Sequence, residues 1–382
     1  ISFWDTQGVT DKIRRFPFVV AFAYTRDESN HFADILLPDA TDLEGLQLLR
    51  LAATKYQEQF WDHEGFALRQ PVVAARGQAR DFSDICTELA QRCGMLEKYN
   101  AAINRGTCGV KLDGPWGDFS LDPTVAHSRD AIWDAACKAA SAELTEGAEV
   151  LGLDWWKEHG FKTRPYPREQ WYLYPTVVER GLRFEMPYQE RLKRIGAELG
   201  RRLHENDMHW WDKQLDEYQA LPPWKDFPGL WEAAVAKAGG KPADYPFWLV
   251  TARSMQYAWG GNVAMQMIRE VAGNIAGHNG VVMNPRAAEK LGLAEGDWVD
   301  IATPVRATRG MVVLRQGIRP DTLLLVGQFD HWATPVAKDF GVPSLNTLAE
   351  MSLDLTDATG SGADLVRVKV SKASAGRTRV PA

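Results

Sequence analysis

Histidine, arginine and asparagine side chains recur in stretches of this sequence that read as loops. His278 and His331 are candidates for proton transfer, with Asp330 beside the second, because an imidazole takes up and releases protons near neutral pH. Arg253 follows an apolar strand and opens a glycine-containing loop that ends at Asn262, an arrangement suited to binding an anion. These residues predict a site that binds a polar, anionic ligand.

The elements that position such loops are clearest between residues 277 and 301. Asn284 is a good N-cap residue, Pro285 suits the first helical position, and Gly292 suits the left-handed residue that ends a helix. The run therefore predicts a strand, a short helix, a turn and a second strand, at residues 281–283, 285–290, 295–297 and 298–301. A well-capped structural unit that binds no ligand is the alternative interpretation.

Length and composition limit the class of protein. The chain has 382 residues, 45% hydrophobic and 25% charged, which is ordinary for a globular protein of two or three domains. A net charge of −6 argues against a nucleic-acid partner, because phosphates are bound by basic surfaces. No apolar run reaches the roughly 18 residues needed to cross a bilayer. The four cysteines lack zinc or iron–sulfur spacing and are expected to be buried thiols of a reducing compartment.

Other segments predict regular structure with fewer chemical groups. Residues 18–23 and 33–37 read as buried strands of a parallel sheet covered on both faces. Helices are predicted at residues 83–93, 130–144 and 189–218. In the second helix, one face carries the apolar residues Ile132, Trp133, Ala136, Cys137 and Ala140. In the third, the apolar residues at helical spacing are Leu192, Ile195, Leu199 and Leu203.

Several motifs occur in one fixed order along the chain. They are HFADILLPDATDLE at 31–44, GQARDFSDICTELAQRCG at 77–94, FWLVTARSMQYAWGGN at 247–262, GHNGVVMNPRAAEKLGLAEGDWVDI at 277–301, SLNTL at 344–348 and DATGSG at 357–362. In this order they resemble the C-terminal part of large subunits of the molybdopterin oxidoreductase (DMSO-reductase) family. The sequence departs from the family pattern at Phe66, Gln78, Ala252, Tyr257 and Trp259.

The resemblance implies a fold of the α/β plus β-barrel class. We expect residues 1–95 to form the C-terminal part of a parallel-sheet α/β molybdopterin-binding domain. Residues 96–243 are expected to form a helical and aromatic insertion that shapes a funnel or docks a partner, or one that simply packs on the core. Residues 244–382 are expected to form a double-psi β-barrel that binds the molybdopterin dinucleotide. Since the sequence starts at Ile1 in mid-domain, we expect a fragment of a longer polypeptide or one chain of a split subunit.

The resemblance also implies which residues bind the cofactor. These are Arg253, Ser254, Tyr257, Trp259, Asn262, His278, Asn284, Gln328, Asn346 and Gly360. Asn346 is the strongest single candidate, because a side-chain amide both donates and accepts hydrogen bonds. His331 is the candidate catalytic residue, and no metal ligand is assigned to this chain.

The implied function is redox catalysis. The chain would be part of a catalytic large subunit that holds bis-molybdopterin guanine dinucleotide with molybdenum or tungsten, with [4Fe-4S] clusters elsewhere in the complex. The cofactor would supply oxygen-atom transfer or hydroxylation. The stretches SMQYAWGGN and EVAGNIAGHNGV are most similar to phenylacetyl-CoA:acceptor oxidoreductase, which implies α-oxidation of phenylacetyl-CoA to phenylglyoxylate. Two alternatives are a non-catalytic scaffold with a degenerate molybdopterin fold and a thiosulfate, polysulfide or arsenate reductase-type subunit.

The implied partners follow from the same resemblance. They are the N-terminal half of the large subunit, a small-molecule substrate, an iron–sulfur subunit, plus a quinone-reducing membrane subunit. Basic residues beside aromatic ones predict contact with an acyl-CoA: Lys162, Arg164, Arg168, Arg180 and Arg183. A CoA substrate implies the cytoplasm, with membrane association through partners, whereas an arsenate or polysulfide reductase implies the periplasm as the alternative.

Overall fold

A computed structural model describes most of the chain, with residues 187–189 described by their backbone alone. The described residues are 5–51, 63–165, 187–221, 224–252, 254–257, 262, 264–275, 280–326, 331–335, 337–339, 343–348, 352–355 and 366–374.

Strands and helices alternate irregularly along the chain. The strands are β1 Val20–Ala23, β2 Ile35–Pro38, β3 Gln47–Leu51, β4 His63–Arg69, β5 Asp113–Gly114, β6 Gly117–Asp118, β7 Phe161–Pro165, β8 Phe247–Ala252, β9 Gly280–Met283, β10 Trp298–Ala302, β11 Ala307–Leu314, β12 Thr322–Val326 and β13 Val366–Lys372. The helices are α1 Thr6–Ile13, α2 Phe82–Arg92, α3 Leu96–Ala102, α4 Arg129–Leu144, α5 Leu153–His159, α6 Pro187–Glu205, α7 Asp212–Leu215, α8 Phe227–Lys237, α9 Gln266–Gly273 and α10 Pro285–Lys290. None of the helices in the described residues is long and apolar enough to cross a membrane.

The chain divides into two compact units. The barrel unit comprises residues 1–20, 25–35 and 188–382, and the second unit comprises residues 21–24 and 36–187. Each unit has its own hydrophobic core. The domain boundaries expected from the sequence, after residues 95 and 243, stay a prediction.

Six strands of the barrel unit close into a barrel in the order β10-β11-β9-β12-β8-β13. The pairs β9–β11 and β8–β12 are parallel, and the other four pairs are antiparallel. Alternate residues of the strands fill the interior, where Leu249, Met283, Ile301 and Leu323 are fully buried. The predicted fold class, α/β with a C-terminal double-psi β-barrel, is confirmed.

The register of these strands fixes which connections share an end of the barrel. Ala252, at the end of β8, pairs with Val326, at the end of β12. Strand β9 runs against β12, with Val281 opposite Leu325, so β9 begins where those two strands finish. Strands β11 and β13 also begin on this side. We call this side the loop end, because the segments 253–279, 303–306 and 327–365 all leave the barrel there.

The short helix between β9 and β10 forms as its sequence predicts. The Asn284 side chain accepts a hydrogen bond of 3.0 Å from the Arg286 amide, and Pro285 occupies the first turn. Gly292 has a left-handed φ of 66°, which lets the chain leave the helix without strain. Strand β10 alternates between buried and half-buried residues, again as predicted. Local sequence therefore decides this part of the fold.

The second unit contains an antiparallel sheet that the sequence analysis did not anticipate. Strand β4 lies between β3 and β7. Helix α4 supplies a large share of the core, and all five residues of its predicted apolar face are buried. Phe66, which replaces a family arginine, is 2% exposed with the Arg50 guanidinium over its ring at 4.6 Å. Phe66 is therefore a core residue of this unit.

Strands β1 and β2 pair, but their predicted burial is wrong for this chain. The Asp34 amide donates to the Val19 carbonyl and the Asp39 amide to the Ala23 carbonyl, a progression that makes the pair parallel. All four residues of β2 are exposed. The apolar run that predicted a buried strand therefore has no cover among the described residues.

The long helix predicted at 189–218 is interrupted. Helix α6 ends at Glu205, and the chain turns before the short helix α7. Among the predicted apolar residues, Ile195 is 47% exposed. The buried face instead carries Gly196 and Gly200, whose bare Cα atoms allow close approach of Tyr218 and Leu215. A search for large apolar residues misses this small-residue face.

The prediction that the cysteines are buried is right for one of the four. Cys137 is fully buried, and burial raises the pKa of its thiol to about 12. Cys86 and Cys108 are half-buried, and Cys93 is exposed. All four are free thiols.

Candidate cofactor site

The loop end of the barrel brings together most of the residues that the sequence analysis selected and the structure describes. Ser254 and Tyr257 follow β8, and His331 follows β12. Asn346 lies in the next described segment, 343–348. Hydrogen bonds fix that segment to the barrel. The Ser344 amide donates to the Thr308 hydroxyl at 3.2 Å, and the Thr303 hydroxyl donates to the Leu348 carbonyl at 2.8 Å.

Asn346 is held by its backbone and not by its side chain. Its carbonyl accepts a hydrogen bond of 3.4 Å from the Thr6 amide at the start of α1. Asp5 caps this helix, accepting from the Gly8 amide at 3.0 Å, and pairs with Arg306 at 2.5 Å. Among the described residues, the half-buried side-chain amide of Asn346 has no hydrogen-bond partner. It therefore retains its full capacity to bind a ligand.

Several other polar atoms at this end are buried without a partner among the described residues. They are the hydroxyl oxygens of Thr6, Thr10 and Ser344 and the indole nitrogen of Trp332. Ser344 and Thr10 are completely buried. Buried polar atoms are normally paired, so several orphans beside one unpaired amide point to a missing polar partner. Hydroxyls that donate and accept, with an indole and an amide, fit a ligand rich in ring nitrogens and phosphate oxygens.

His331 belongs to a buried hydrogen-bonded cluster around Glu28. The Glu28 carboxylate accepts from His331 Nδ1 at 3.2 Å, from the Ala333 and Thr334 amides at 2.8 Å each, and from the Thr334 hydroxyl at 2.8 Å. Burial alone would raise the pKa of Glu28, but the hydrogen bonds from His331, Thr334 and Ala333 outweigh it and hold that pKa far below its usual 4.5. Glu28 is thus an ionised carboxylate whose side chain is 3% exposed.

Aromatic packing holds the same loop from a second side. The Trp332 ring meets His31 edge-on at 4.9 Å and Phe32 at 5.6 Å. The Arg14 guanidinium, just after α1, lies over Phe32 at 5.1 Å. Residues 25–32, α1 and the 331–334 loop therefore form one connected support.

The loop after β8 contributes a buried ring. Tyr257 is 1% exposed and packs with Ala272 and Ala337. Its backbone amide donates to the Ser254 hydroxyl at 3.1 Å, and the side-chain amide of Asn262 donates to the Gln256 carbonyl at 3.3 Å. The described part of this loop is consequently folded on itself. The predicted cofactor contacts of Ser254, Tyr257 and Asn262 stay predictions.

Asn284 lies at the opposite end of the barrel. It follows β9, whose last residue, Met283, pairs with Leu323 near the start of β12. Its amide nitrogen donates to the Ile318 carbonyl at 2.7 Å while its oxygen caps α10. The structure therefore does not bring Asn284 to the other candidates. Six further candidates lie outside the described residues: Arg253, Trp259, His278, Gln328, Asp330 and Gly360.

The comparisons with known proteins agree with this geometry. The family profile described as "Molydopterin dinucleotide binding domain" matches residues 247–371, which contain nearly all of the barrel and its loop end. Residues 247–371 therefore match a molybdopterin dinucleotide-binding domain, and the chain is similar to subunits of molybdopterin oxidoreductases. The resemblance predicted from the sequence is thereby confirmed.

Individual relatives cover most of the chain. It is 25% identical to ArrA, the molybdopterin-containing subunit of the arsenate respiratory reductase of Chrysiogenes arsenatis, over 97% of this chain and 44% of that protein. It is 23% identical to a sulfite dehydrogenase subunit of Allochromatium vinosum, over 81% of this chain and 32% of that protein. The structure of acetylene hydratase from Pelobacter acetylenicus superposes with a TM-score of 0.55 at 15% identity, covering 97% of this chain and 42% of that one. The chain thus spans less than half the length of these relatives.

Sequence reasoning missed several residues of the site. Glu28 lies 303 residues before His331, and no periodicity or motif links the two. Thr6, Thr10 and Ser344 are small hydroxyl residues of a type that occurs throughout the chain. Of the missed residues, only Arg14 and Trp332 could have been selected from the sequence, as an arginine and an aromatic residue beside polar neighbours.

Proposed function

We propose that this chain holds a molybdopterin dinucleotide at the loop end of its barrel, as the cofactor-binding part of a molybdenum or tungsten oxidoreductase. The observation that carries the proposal is the set of polar groups at that end that have no partner among the described residues. Asn346, Ser344 and Trp332 would supply amide, hydroxyl and indole contacts to the cofactor. Two such cofactors per metal, as bis-molybdopterin guanine dinucleotide, are part of the proposal.

The cofactor, when bound, supplies oxygen-atom transfer or hydroxylation at its metal. The protein's part is to position the cofactor and to move protons beside it. Glu28 accepts from Nδ1 of His331, which assigns the proton of a neutral ring to Nδ1 and makes Nε2 the basic nitrogen. We propose that His331 exchanges protons through Nε2 and that Glu28 is a positioning residue that fixes its tautomer and orientation.

The first test is elemental analysis of the purified native complex for molybdenum, tungsten and iron, with pterin measured by fluorescence after oxidation. Stoichiometric molybdenum or tungsten with two pterins per chain is the expected result. Iron without pterin, molybdenum or tungsten would refute the proposal and leave the chain as a non-catalytic scaffold with a degenerate molybdopterin fold.

Two asparagines give a matched pair for locating the site. Asn346→Ala should lower the pterin content of the complex while leaving its unfolding midpoint nearly unchanged, because the side chain has no hydrogen bond to lose among the described residues. Asn284→Ala should lower the unfolding midpoint while leaving the pterin content nearly unchanged, because that side chain caps a helix at the far end of the barrel. Equal pterin loss in both variants would place the cofactor elsewhere.

The substrate is a separate proposal, and two classes compete. The first is phenylacetyl-CoA, oxidised at its α-carbon to phenylglyoxylate. Of the five basic residues that predict acyl-CoA contact, Lys162 pairs with Glu149 at 2.5 Å and Arg164 with Glu64 at 2.7 Å. The other three lie outside the described residues. Two of the five charges are thus already neutralised within the second unit.

The second class is a small oxyanion of sulfur or arsenic, which the names of the sulfite dehydrogenase and arsenate reductase relatives support. Assays of the native complex with phenylacetyl-CoA and with sulfite, thiosulfate and arsenate would separate the two. If phenylacetyl-CoA is the substrate, charge reversal at Arg168 and Arg180 should raise its KM. An unchanged KM would reject acyl-CoA contact by these residues.

Partners and compartment follow from the same proposals. We propose that the N-terminal half of the large subunit covers the exposed apolar strand β2. Electrons would pass first to an iron–sulfur subunit, then to a quinone-reducing membrane subunit. The acyl-CoA class implies the cytoplasm, and the oxyanion class the periplasm. Co-purification of the native complex followed by mass spectrometry tests which subunits it contains.

A further inference from the structure

Two imidazoles and a carboxylate meet on the surface where α6 ends and α7 begins. His204 Nε2 lies 2.7 Å from Asp212 Oδ1, and His209 Nδ1 lies 3.2 Å from Asp212 Oδ2. The two imidazole rings stack with their centroids 4.8 Å apart. One potential ligand atom from each residue lies within 4.8 Å of the other two. We propose that His204, His209 and Asp212 bind a divalent transition-metal ion of the zinc class.

The donor set selects the type of ion. Two imidazole nitrogens and one carboxylate oxygen suit zinc, nickel, copper or cobalt, whereas calcium and magnesium prefer oxygen ligands throughout. Three protein ligands around zinc leave a fourth tetrahedral position for water. Zinc–nitrogen bonds of roughly 2.0–2.1 Å bring ligand atoms to about 3.3 Å from one another. All three side chains are exposed, so small rotations can close the remaining distance.

The backbone places His209 beside His204 by a defined turn. After α6, the Asp207 amide donates to the His204 carbonyl at 3.1 Å, and the Met208 amide donates to the Leu203 carbonyl at 2.9 Å. This pair of bonds is the Schellman ending of a helix. Asp207 is its left-handed residue, with a φ of 54°. The turn reverses the chain and stacks the second imidazole on the first.

The third ligand is carried by an anchored helix. Gln214 is 2% exposed and donates to the Leu353 carbonyl at 2.6 Å. Lys213 forms an ion pair with Asp354. Both anchors adjoin Asp212 at the start of α7, so its position is fixed before any ion binds. A partly preformed site loses less conformational freedom on binding than a flexible one.

Proton positions are consistent with metal binding. Without an ion, the ring nitrogens that face Asp212 donate hydrogen bonds to its carboxylate and lower its pKa. When the ion binds, the same two nitrogens offer lone pairs, and each neutral ring carries its proton on the other nitrogen. For His209 that nitrogen is Nε2, which lies 3.5 Å from the Asp207 carboxylate. A carboxylate behind a metal-bound histidine orients the ring and strengthens the ligand.

Asp207 supports this role for a second reason. Glycine is the residue that adopts a left-handed backbone without strain, and aspartate adopts it only occasionally. The chain has glycine at the corresponding position after α10, Gly292 with a φ of 66°. A carboxylate in place of glycine gives His209 an outer-shell partner. We therefore expect Asp207→Asn to weaken metal binding by about tenfold, the lower end of the range for outer-shell changes.

The test is a zinc titration of the full-length protein in its native complex, in competition with a chromophoric chelator. All samples carry Cys93→Ser, because an exposed thiol also binds zinc. We expect one zinc ion per chain at this site and at least a tenfold loss of affinity in His209→Gln and in Asp212→Asn. His159→Gln is the matched control, since His159 is also exposed but stacks on Trp155 in the second unit. It should bind zinc like the parent.

A spectroscopic measurement identifies the ligands directly. With one equivalent of Cu²⁺, the electron paramagnetic resonance spectrum should show coupling to two imidazole nitrogens, and to one in His204→Gln. Equal zinc affinity in the parent and in His209→Gln, or an unchanged copper spectrum in His204→Gln, would overturn the proposal. The cluster would then be a surface hydrogen-bond network alone.

Discussion

Replacing Glu28 with glutamine tests whether the buried carboxylate holds the 331–334 loop in place. The change preserves shape but removes a charge that accepts four hydrogen bonds. Hydrogen bonds to charged groups contribute about 1.5–3 kcal/mol each and neutral ones about 0.5–1.5 kcal/mol. The Ala333 and Thr334 amides would still donate to the glutamine oxygen, so these two hydrogen bonds together lose about 2 kcal/mol. His331 Nδ1 would face an amide group that donates, which adds about 1 kcal/mol. We expect a loss of about 3 kcal/mol in the stability of this loop.

Amide hydrogen exchange measures this stability locally. The Ala333 and Thr334 amides donate to Glu28, so each opening of the loop exposes them. A loss of about 3 kcal/mol corresponds to roughly 100-fold faster exchange. Glu64→Gln is the control, because Glu64 is also buried and paired, with Arg164, but lies in the second unit. Exchange at residues 333 and 334 that differs by less than twofold between Glu28→Gln and the parent would refute the reasoning.

The pH dependence provides an independent check on the same residue. The folded-state pKa of Glu28 lies below its usual 4.5, so its contribution to stability is complete above that pH and is lost as the pH falls towards the folded-state pKa. The difference in unfolding free energy between the parent and Glu28→Gln should be constant above about pH 5 and shrink in more acidic solution. A difference that grows on acidification would show that Glu28 is not ionised in the folded protein.

Two further changes test the barrel. Asn284→Ala should lower the free energy of unfolding by about 2 kcal/mol in urea titrations, since it removes a helix cap and the hydrogen bond to the Ile318 carbonyl. A change under about 0.5 kcal/mol would mean that α10 does not depend on this cap. Gly280→Ala should cost about 2 kcal/mol by overpacking, because a Cβ there would lie 2.7 Å from the Met311 carbonyl oxygen and 2.6 Å from a Val313 methyl group. Unaltered thermal stability of this variant would show that β9 and β11 can separate without loss.

Local features of the fold were predictable because short-range rules decide them. Asn284, Pro285 and Gly292 mark a helix whose beginning and end depend on neighbouring residues alone. The apolar face of α4 is predictable for a similar reason, since its residues repeat at the helical period. The exposure of β2 was not predictable, because an apolar strand carries no information about whether its cover belongs to the same chain.

The site itself depends on pairings that the linear sequence does not record. Glu28 and His331 meet only because residues 25–35 fold into the barrel unit. The third predicted helix shows the same limit on a smaller scale. Its packed face is defined by Gly196 and Gly200, and only the positions of Tyr218 and Leu215 reveal that small residues are required there.

The two asparagines illustrate how strand direction separates function from structure. Asn284 and Asn346 both lie in motifs shared with the family, and both were predicted to bind the cofactor. Because β9 runs against β12, a residue after β9 must lie at the far end of the barrel, whereas the segments after β12 lie at the loop end. Asn284 uses both ends of its amide to stabilise the fold, and Asn346 leaves its amide unpaired among the described residues. A motif can therefore indicate a family resemblance, while only the strand register shows which of its residues lie at the loop end.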